Sequence, residues 1–401
     1  MTDQMFFVSA TAAEEPRPER AAQSLVEQIS AQTNGAPLDF GLIFLSSHFT
    51  REAAQIVARL RAALPLRALI GCTGEGVIGR DEEIEGRPAI TFVAGRLPGV
   101  ELLPFALQPL DWDSLLADPA QFAPAVGAPR RSKLFVLLAD PFSTPLADLL
   151  AAFNRGYAGV PIIGGVASGA ESRGGNSLIL NERLLTAGAV GLALAGALEV
   201  DLIVSQGCRP IGQPLTVTSA RQNMIYSLEG EPPLRAIQQL IDQLSEVDQA
   251  LIRQNGLFLG QAIDRQQETL GRGDFLIRGV TGVDRRNGAI TLGDSIPAGE
   301  TVQFHLRDAS TALEDLQMML TPQMFVEPPC GALFFSCNGR GRRLYNRPNV
   351  DLSTIQDILG GVNLAGFFCA GEIGPVGDKN FLHAYTASLA LFRPERSAAL
   401  D

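Results

Sequence analysis

Residues 41–76 and 134–169 align without a gap at an offset of 93 residues, and this duplication constrains the fold more than any other feature of the chain. Ser47 faces Asp140, Phe49 faces Phe142, Gly71 faces Gly164 and Gly76 faces Gly169. Each copy is an apolar run, an amphipathic stretch, then a second apolar run ending in glycine. Leu146, Leu149, Leu150 and Phe153 stand at i, i+3, i+4 and i+7, and Ile56, Val57, Leu60 and Leu64 make a similar stripe in the first copy, the signature of a helix with one buried face. Thr50 in one copy, and Ser143 or Thr144 with Pro145 in the other, are placed to cap these helices. The unit is a β-α-β motif of about thirty residues, whose strands run parallel through a right-handed crossover and are covered on both faces.

A third, looser copy lies near the carboxyl end. The run ALFFSCNGRG reads as a strand, Ser353 with Gln356 as a capping box ahead of Ile355, Ile358 and Leu359, and LAGFFCAGEIG as the second strand. Cys72-Thr73-Gly74-Glu75 in the first copy matches Cys369-Ala370-Gly371-Glu372 in the third, whereas the second keeps glycine and lacks Cys and Glu. Ahead of the duplication, residues 19–32 place Ala22, Leu25, Val26 and Ile29 at helical spacing, so a helix starts near Pro18.

Between the second and third copies the periodicity changes. Residues 176–205 read as strand hairpins, and 232–247 as a helix with Leu234, Ile237, Leu240, Ile241 and Leu244 inward. Arg285-Arg286-Asn287-Gly288 is an Asn-Gly hairpin turn, and residues 301–307 alternate, with Val302, Phe304 and Leu306 on one face and His305 on the other. The fold class is therefore α/β: parallel β-α-β repeats with antiparallel hairpins, in two halves. The stretch Glu229-Gly230-Glu231-Pro232-Pro233 marks the boundary, giving domains 1–229 and 230–401.

At 401 residues with 46% apolar and 19% charged side chains, the chain can bury two or three cores and is not a disordered polymer. Its longest apolar run, 184–198, is short of the roughly 20 residues of a membrane helix, and the amino terminus lacks the pattern of a signal peptide. A net charge of -11 argues against nucleic acid or an anionic membrane as partner. Five cysteines without CxxC spacing fit neither a disulfide framework nor a zinc knuckle. The expectation is a cytoplasmic protein without metal or cofactor.

Ligands of parallel sheets bind beyond the carboxyl ends of the strands. The repeats thus nominate Ser46, Cys72, Thr73, Glu75, Ser168, Asn338, Arg340, Cys369 and Glu372, joined by Asn380 and His383 from the polar segment that follows. Glycines there are turn formers before they are phosphate cradles, and no GxGxxG or Walker loop is present. Cysteines abutting apolar strands fit packing better than reactivity. The alternative is a thiol-dependent hydrolase or transferase using Cys337 or Cys369 with His383. Glu75 or Glu372 would hold an ammonium group, and Arg340 with backbone N–H groups a carboxylate.

The segment Ile70-Gly71-Cys72-Thr73-Gly74-Glu75-Gly76, and CNGRG followed by GFFCAGEIGPVGDKNFLHAYTASLALF, resemble the FIST domain over residues 36–392. The resemblance implies a sensory module, found beside bacterial signalling domains and in some eukaryotic F-box proteins. It implies binding of small ligands such as amino acids, with no established catalysis. No kinase, cyclase, methyl-acceptor or F-box segment accompanies the two halves in this chain, so the expected output passes through a separate signalling protein.

Overall fold

The computed structural model describes residues 4–264 and 270–395. The first copy begins with β1 (Phe6–Ala13) and α1 (Pro18–Thr33). Its repeat is β2 (Phe40–Ser46), α2 (Ala53–Ala63) and β3 (Ala68–Gly74), followed by β4 (Gly76–Ile78), β5 (Glu83–Glu85) and β6 (Ala89–Arg96). The second runs β7 (Val100–Leu107), α3 (Trp112–Ala117), α4 (Pro119–Val126), β8 (Ser132–Ala139), α5 (Leu146–Gly156) and β9 (Ile162–Val166), then β10 (Leu178–Leu180), β11 (Arg183–Leu185) and β12 (Ala189–Gly196). The third opens with β13 (Leu198–Gln206). An insertion follows, made of β14 (Cys208–Arg221), β15 (Met224–Leu228), α6 (Pro233–Gln243), α7 (Glu246–Asn255), β16 (Phe258–Ala262), β17 (Phe275–Val283), β18 (Ile290–Leu292) and β19 (Thr301–Arg307). The chain then passes through α8 (Ala309–Leu320), β20 (Gly331–Cys337), α9 (Arg342–Tyr345), α10 (Val350–Leu359), β21 (Leu364–Cys369), β22 (Glu372–Val376), β23 (Lys379–His383) and β24 (Thr386–Pro394).

Three sheets share one strand order: β1-β6-β2-β3-β10-β11, β7-β12-β8-β9-β22-β23 and β13-β24-β20-β21-β4-β5. In each, the two strands of the repeat are parallel, with Phe44 opposite Cys72, Val136 opposite Ile163, and Cys337 opposite Cys369. The last two strands of every sheet come from a different copy. The hairpin following copy one completes the sheet of copy three, that of copy two completes the first, and that of copy three completes the second. Each parallel pair also has one glycine that must stay bare. A Cβ on Gly71 would lie 2.1 Å from the Ile43 carbonyl oxygen, one on Gly164 1.9 Å from that of Leu137, and one on Gly366 1.6 Å from that of Phe334. In all three cases the oxygen belongs to the glycine's register partner.

A single core is shared by the three sheets, with Phe44, Val136 and Phe335 buried in it beside Phe367 and Phe392. The Phe44 and Phe367 rings stack with centroids 5.1 Å apart. Each such side chain contributes about 1.5–3 kcal/mol by leaving water. Outside this core, α1 and α2 bury Leu25, Ile29, Ile56 and Leu60 against the first sheet, and α5 buries Leu149, Leu150 and Phe153 against the second, on the stripe the spacing predicts.

The helix starts differ from expectation. Helix α2 begins at Ala53, after a single 3-10 turn over Ser47–Phe49, and the Thr50 hydroxyl donates to the Ser47 carbonyl instead of capping. The Ser143 hydroxyl donates to Asp140 and accepts from the Gly188 N–H, while Thr144 donates to the Gly188 carbonyl, so both serve a turn and not α5. Ser353 lies within the first turn of α10. That helix is capped from outside by Glu83 of β5, whose carboxylate accepts from the N–H groups of Asn349 (2.8 Å) and Leu352 (2.9 Å).

By packing, the chain divides into two units. Residues 4–204, 317–382 and 386–395 form one, which carries all three copies; 205–264 and 270–316 with 383–385 form the other. The second unit is the antiparallel insertion, closed as a barrel in the order β14-β15-β18-β17-β16-β19. Val302, Phe304 and Leu306 face its main core with Ile237 and Leu240 of α6. His305 points the other way, its ring edge-on to Phe275 at 4.8 Å, and burial lowers its pKa to about 4. The sequence boundary at 229/230 falls inside this unit, just ahead of α6.

Candidate functional site

Within the first unit, the strand ends of all three copies surround one hollow of about 520 Å³. Ser47 and Glu75 come from copy one, Phe142 and the 167–171 loop from copy two, Asn338 and Ala370 from copy three. A second hollow of about 250 Å³, reaching His48, Glu85 and Phe368, shares Ser47, Glu75 and Asn338 with it. Glu75 therefore stands where the two meet.

Hydrogen bonds lock these ends together. The Ser168 hydroxyl accepts from the Glu75 N–H at 2.9 Å and donates to the Phe368 carbonyl, so one side chain joins all three copies. The Asn338 N–H donates to the Cys369 carbonyl at 2.8 Å, and its amide donates to Glu75 Oε2 at 3.2 Å. Arg343 of α9 donates to both carboxylate oxygens of Glu75 and, at 2.9 Å, to the Asn338 carbonyl. Its side chain is 55% exposed and that of Glu75 43%, so the pair sits on the wall with solvent access.

Of the residues expected from sequence, Glu75, Ser168 and Asn338 line the larger hollow. The others lie behind the wall or elsewhere. Ser46 is buried, its hydroxyl accepting from the Ala89 N–H at 3.0 Å. Thr73 accepts from the Ser177 N–H at 2.9 Å and contacts Asn176, whose amide in turn donates to Asp140. Arg340 is fully buried in a two-pronged pair with Asp351, so it does not reach the hollow as a carboxylate binder. Asn380 bonds the Ile162 N–H, the Val160 carbonyl and Asn154, pinning β23 to α5 and β9.

Glu372 matches Glu75 in the repeat and meets the opposite fate. It is wholly buried, and its Oε2 accepts from the Thr386 N–H at 3.1 Å and hydroxyl at 2.7 Å. Burial raises its pKa to about 8 against these hydrogen bonds, so near neutrality it carries a proton and is no anchor for an ammonium group. Cys72 and Cys369 have no exposed surface, and burial pushes both thiols well above their ordinary range, with Glu372 adding to the effect at Cys369. A nucleophilic cysteine needs the reverse. His383 packs with the second unit, Cys337 and Cys369 with the first.

Sequence reasoning missed Arg343, Phe142 and Glu85 as wall residues. Arg343 is one of three arginines in CNGRGRR. The chain turns at Gly341, with φ +56, between the buried Arg340 and Arg343 on the hollow. The alignment of Phe142 with Phe49 gave no signal for it, since Phe49 is 2% exposed and Phe142 38%. Among the described residues, no His, Cys, Asp and Glu side chains are grouped so as to hold a metal ion, and no helix is long and apolar enough to cross a membrane.

Comparison with known proteins adds four findings. Residues 39–231 match the FIST N domain and residues 233–375 the FIST C domain. An uncharacterised protein of Mycobacterium tuberculosis is 38% identical over 379 residues, covering 94% of this chain and 97% of its own length. A second, from Mycobacterium bovis, is 36% identical over 380 residues, covering 94% and 96%. Among solved structures, cyanuric acid hydrolase from A. caulinodans aligns over 98% of this chain and 100% of its own at 10% identity and a TM-score of 0.34, too slight a likeness to bear on fold or function.

Proposed function

The chain belongs to the FIST family, whose domains are associated with sensory signal transduction, and on that footing we propose that it is a small-molecule sensor whose ligand occupies the hollow at Glu75. The observation that carries this reading is the Glu75–Arg343 pair, with Glu75 at the junction of two hollows and Arg343 on the larger, walled by the strand ends of three copies. A carboxylate and a guanidinium side by side suit a zwitterion. Glu75 takes the ammonium group of an amino acid, and Arg343, in the role the sequence suggested for Arg340, takes its carboxylate. Ser168 and Asn338 hold the wall in place. The sensor works in the cytoplasm as two family domains, 1–229 and 230–401, and its output passes to a separate signalling protein.

Thermal-shift measurements of the intact chain against the twenty amino acids test this. A binding amino acid raises the melting temperature of the wild type and loses that effect in Glu75→Gln and Arg343→Ala. Equal protection of all three proteins would remove the hollow from the reading.

A further inference from the structure

The ionisable lining of the two hollows is unbalanced. Glu75 and Glu171 stand in the larger and Glu85 in the smaller, against one arginine, Arg343, which Glu75 already engages through both oxygens. The order of these groups matters as much as their number. Arg343 lies on the larger hollow, Glu75 at the junction, and Glu85 in the smaller hollow beside His48 and Phe368. Among the described residues the Glu85 carboxylate has one hydrogen bond, its Oε1 accepting from the Arg342 N–H at 3.0 Å. The backbone closes in behind it: a Cβ on Gly341 would lie 2.6 Å from that same oxygen. The carboxylate is thereby fixed in position while a second oxygen is left to take a donor.

Resting on the amino-acid reading above, we propose that the ligand is a basic amino acid. Its carboxylate meets Arg343, its α-ammonium meets Glu75, and its side-chain cation enters the smaller hollow at Glu85. A hollow of about 250 Å³ accepts an extended lysine or arginine side chain. The Phe368 ring at its wall suits the methylene stem, and Glu85 the charged end. An apolar side chain of equal length would leave the second oxygen of Glu85 desolvated and without a donor, which is how such a site discriminates.

Isothermal titration of the intact chain with L-lysine, L-arginine and L-norleucine tests the assignment, norleucine matching the lysine stem without the ammonium group. L-lysine or L-arginine should bind roughly tenfold or more tightly than L-norleucine. Glu85→Gln should erase that preference while retaining binding of the shared amino-acid head. The unliganded melting temperature of Glu85→Gln, matched to wild type, shows that the variant is folded, and Glu85→Asp should restore part of the preference. Norleucine binding as tightly as lysine, or a preference that survives Glu85→Gln, would overturn this proposal and leave the amino-acid reading standing. If none of the twenty amino acids binds, both fall.

Discussion

Arg340 and Asp351 are joined by two hydrogen bonds of 2.7 and 2.8 Å, and neither side chain exposes more than 1% of its surface. Tyr345 completes the set, its hydroxyl donating to Asp351 at 2.7 Å and accepting from Arg340 at 2.9 Å. Burial opposes the charge on Arg340, and the facing Asp351 carboxylate outweighs it, so the guanidinium stays charged. Removing one partner strands the other. Asp351→Ala should therefore cost about 3–5 kcal/mol in urea denaturation. The double replacement Arg340→Met with Asp351→Leu should cost much less than either change alone. By contrast Arg343→Ala, which breaks a solvated pair, should stay within about 1 kcal/mol.

Glu372 gives stability a pH dependence of known sign. Its carboxyl is raised from 4.5 to about 8 in the folded chain, so the folded state keeps a proton that the unfolded chain releases. The contribution is full below about pH 4.5 and is lost as pH rises through about 8, at up to about 1.4 kcal/mol per pH unit. Glu83, raised to about 7 by burial and the nearby Asp351, acts in the same direction over a lower range. Urea denaturation from about pH 5 to about pH 8 should show Glu372→Gln gaining on wild type as pH rises. A constant gap would mean that Glu372 is ionised in the fold.

The three bare glycines predict a shared intolerance. Gly366→Ala drives a methyl group toward the Phe334 carbonyl oxygen, where 1.6 Å is available. It should destabilise by roughly 3 kcal/mol or more, with Gly71→Ala and Gly164→Ala following, because backbone and not a movable side chain stands in the way. Gly230→Ala, which meets nothing within 4 Å but has φ +83, should cost only the backbone strain of about 1–2 kcal/mol.

Ser168→Ala removes the acceptor for the Glu75 N–H and the donor to the Phe368 carbonyl. A loss of about 1–3 kcal/mol is expected. A larger relative loss of ligand protection should accompany it, since the Glu75 backbone is no longer tied to copy two.

Alkylation of the native protein should reach Cys330 first. It is half-buried, whereas Cys72 and Cys369 have no exposed surface and thiols pushed well up by burial. Peptide mapping after brief iodoacetamide treatment gives the order. Rapid labelling of Cys369 in the folded chain would revive the thiol-enzyme alternative.

The parallel pairs and the buried faces of α1, α2 and α5 were legible because each depends on neighbours in sequence: apolar runs, a 3.6-residue stripe, a proline near a helix start. The helix caps were misread because Thr50 turns back to Ser47, because Ser143 and Thr144 bond the distant Gly188, and because α10 is capped by Glu83, 266 residues from Asn349. The repeat placed Glu75 and Glu372 on the same step of one motif. What separates them is Thr386 beside Glu372 and Arg343 beside Glu75, and neither stands next to its glutamate in sequence. Of the closing hairpins, β10 and β11 fall in the stretch that reads as strand hairpins, whereas β4 and β5, three residues each, left no trace because β4 pairs with β21 far along the chain.

The exchange of hairpins also dictates a timetable for a chain emerging from a ribosome. The first sheet waits for β10, made about a hundred residues after β3. The second waits longer: β9 meets β22 only after roughly two hundred further residues, with the whole barrel translated in between. Meanwhile β4 and β5 are produced early and find their seat on β21 only near the finish. A nascent chain halted after the barrel would thus hold an unzipped β9 edge and a homeless β4–β5 hairpin at once, and such unfinished edges are where strands from other molecules attach.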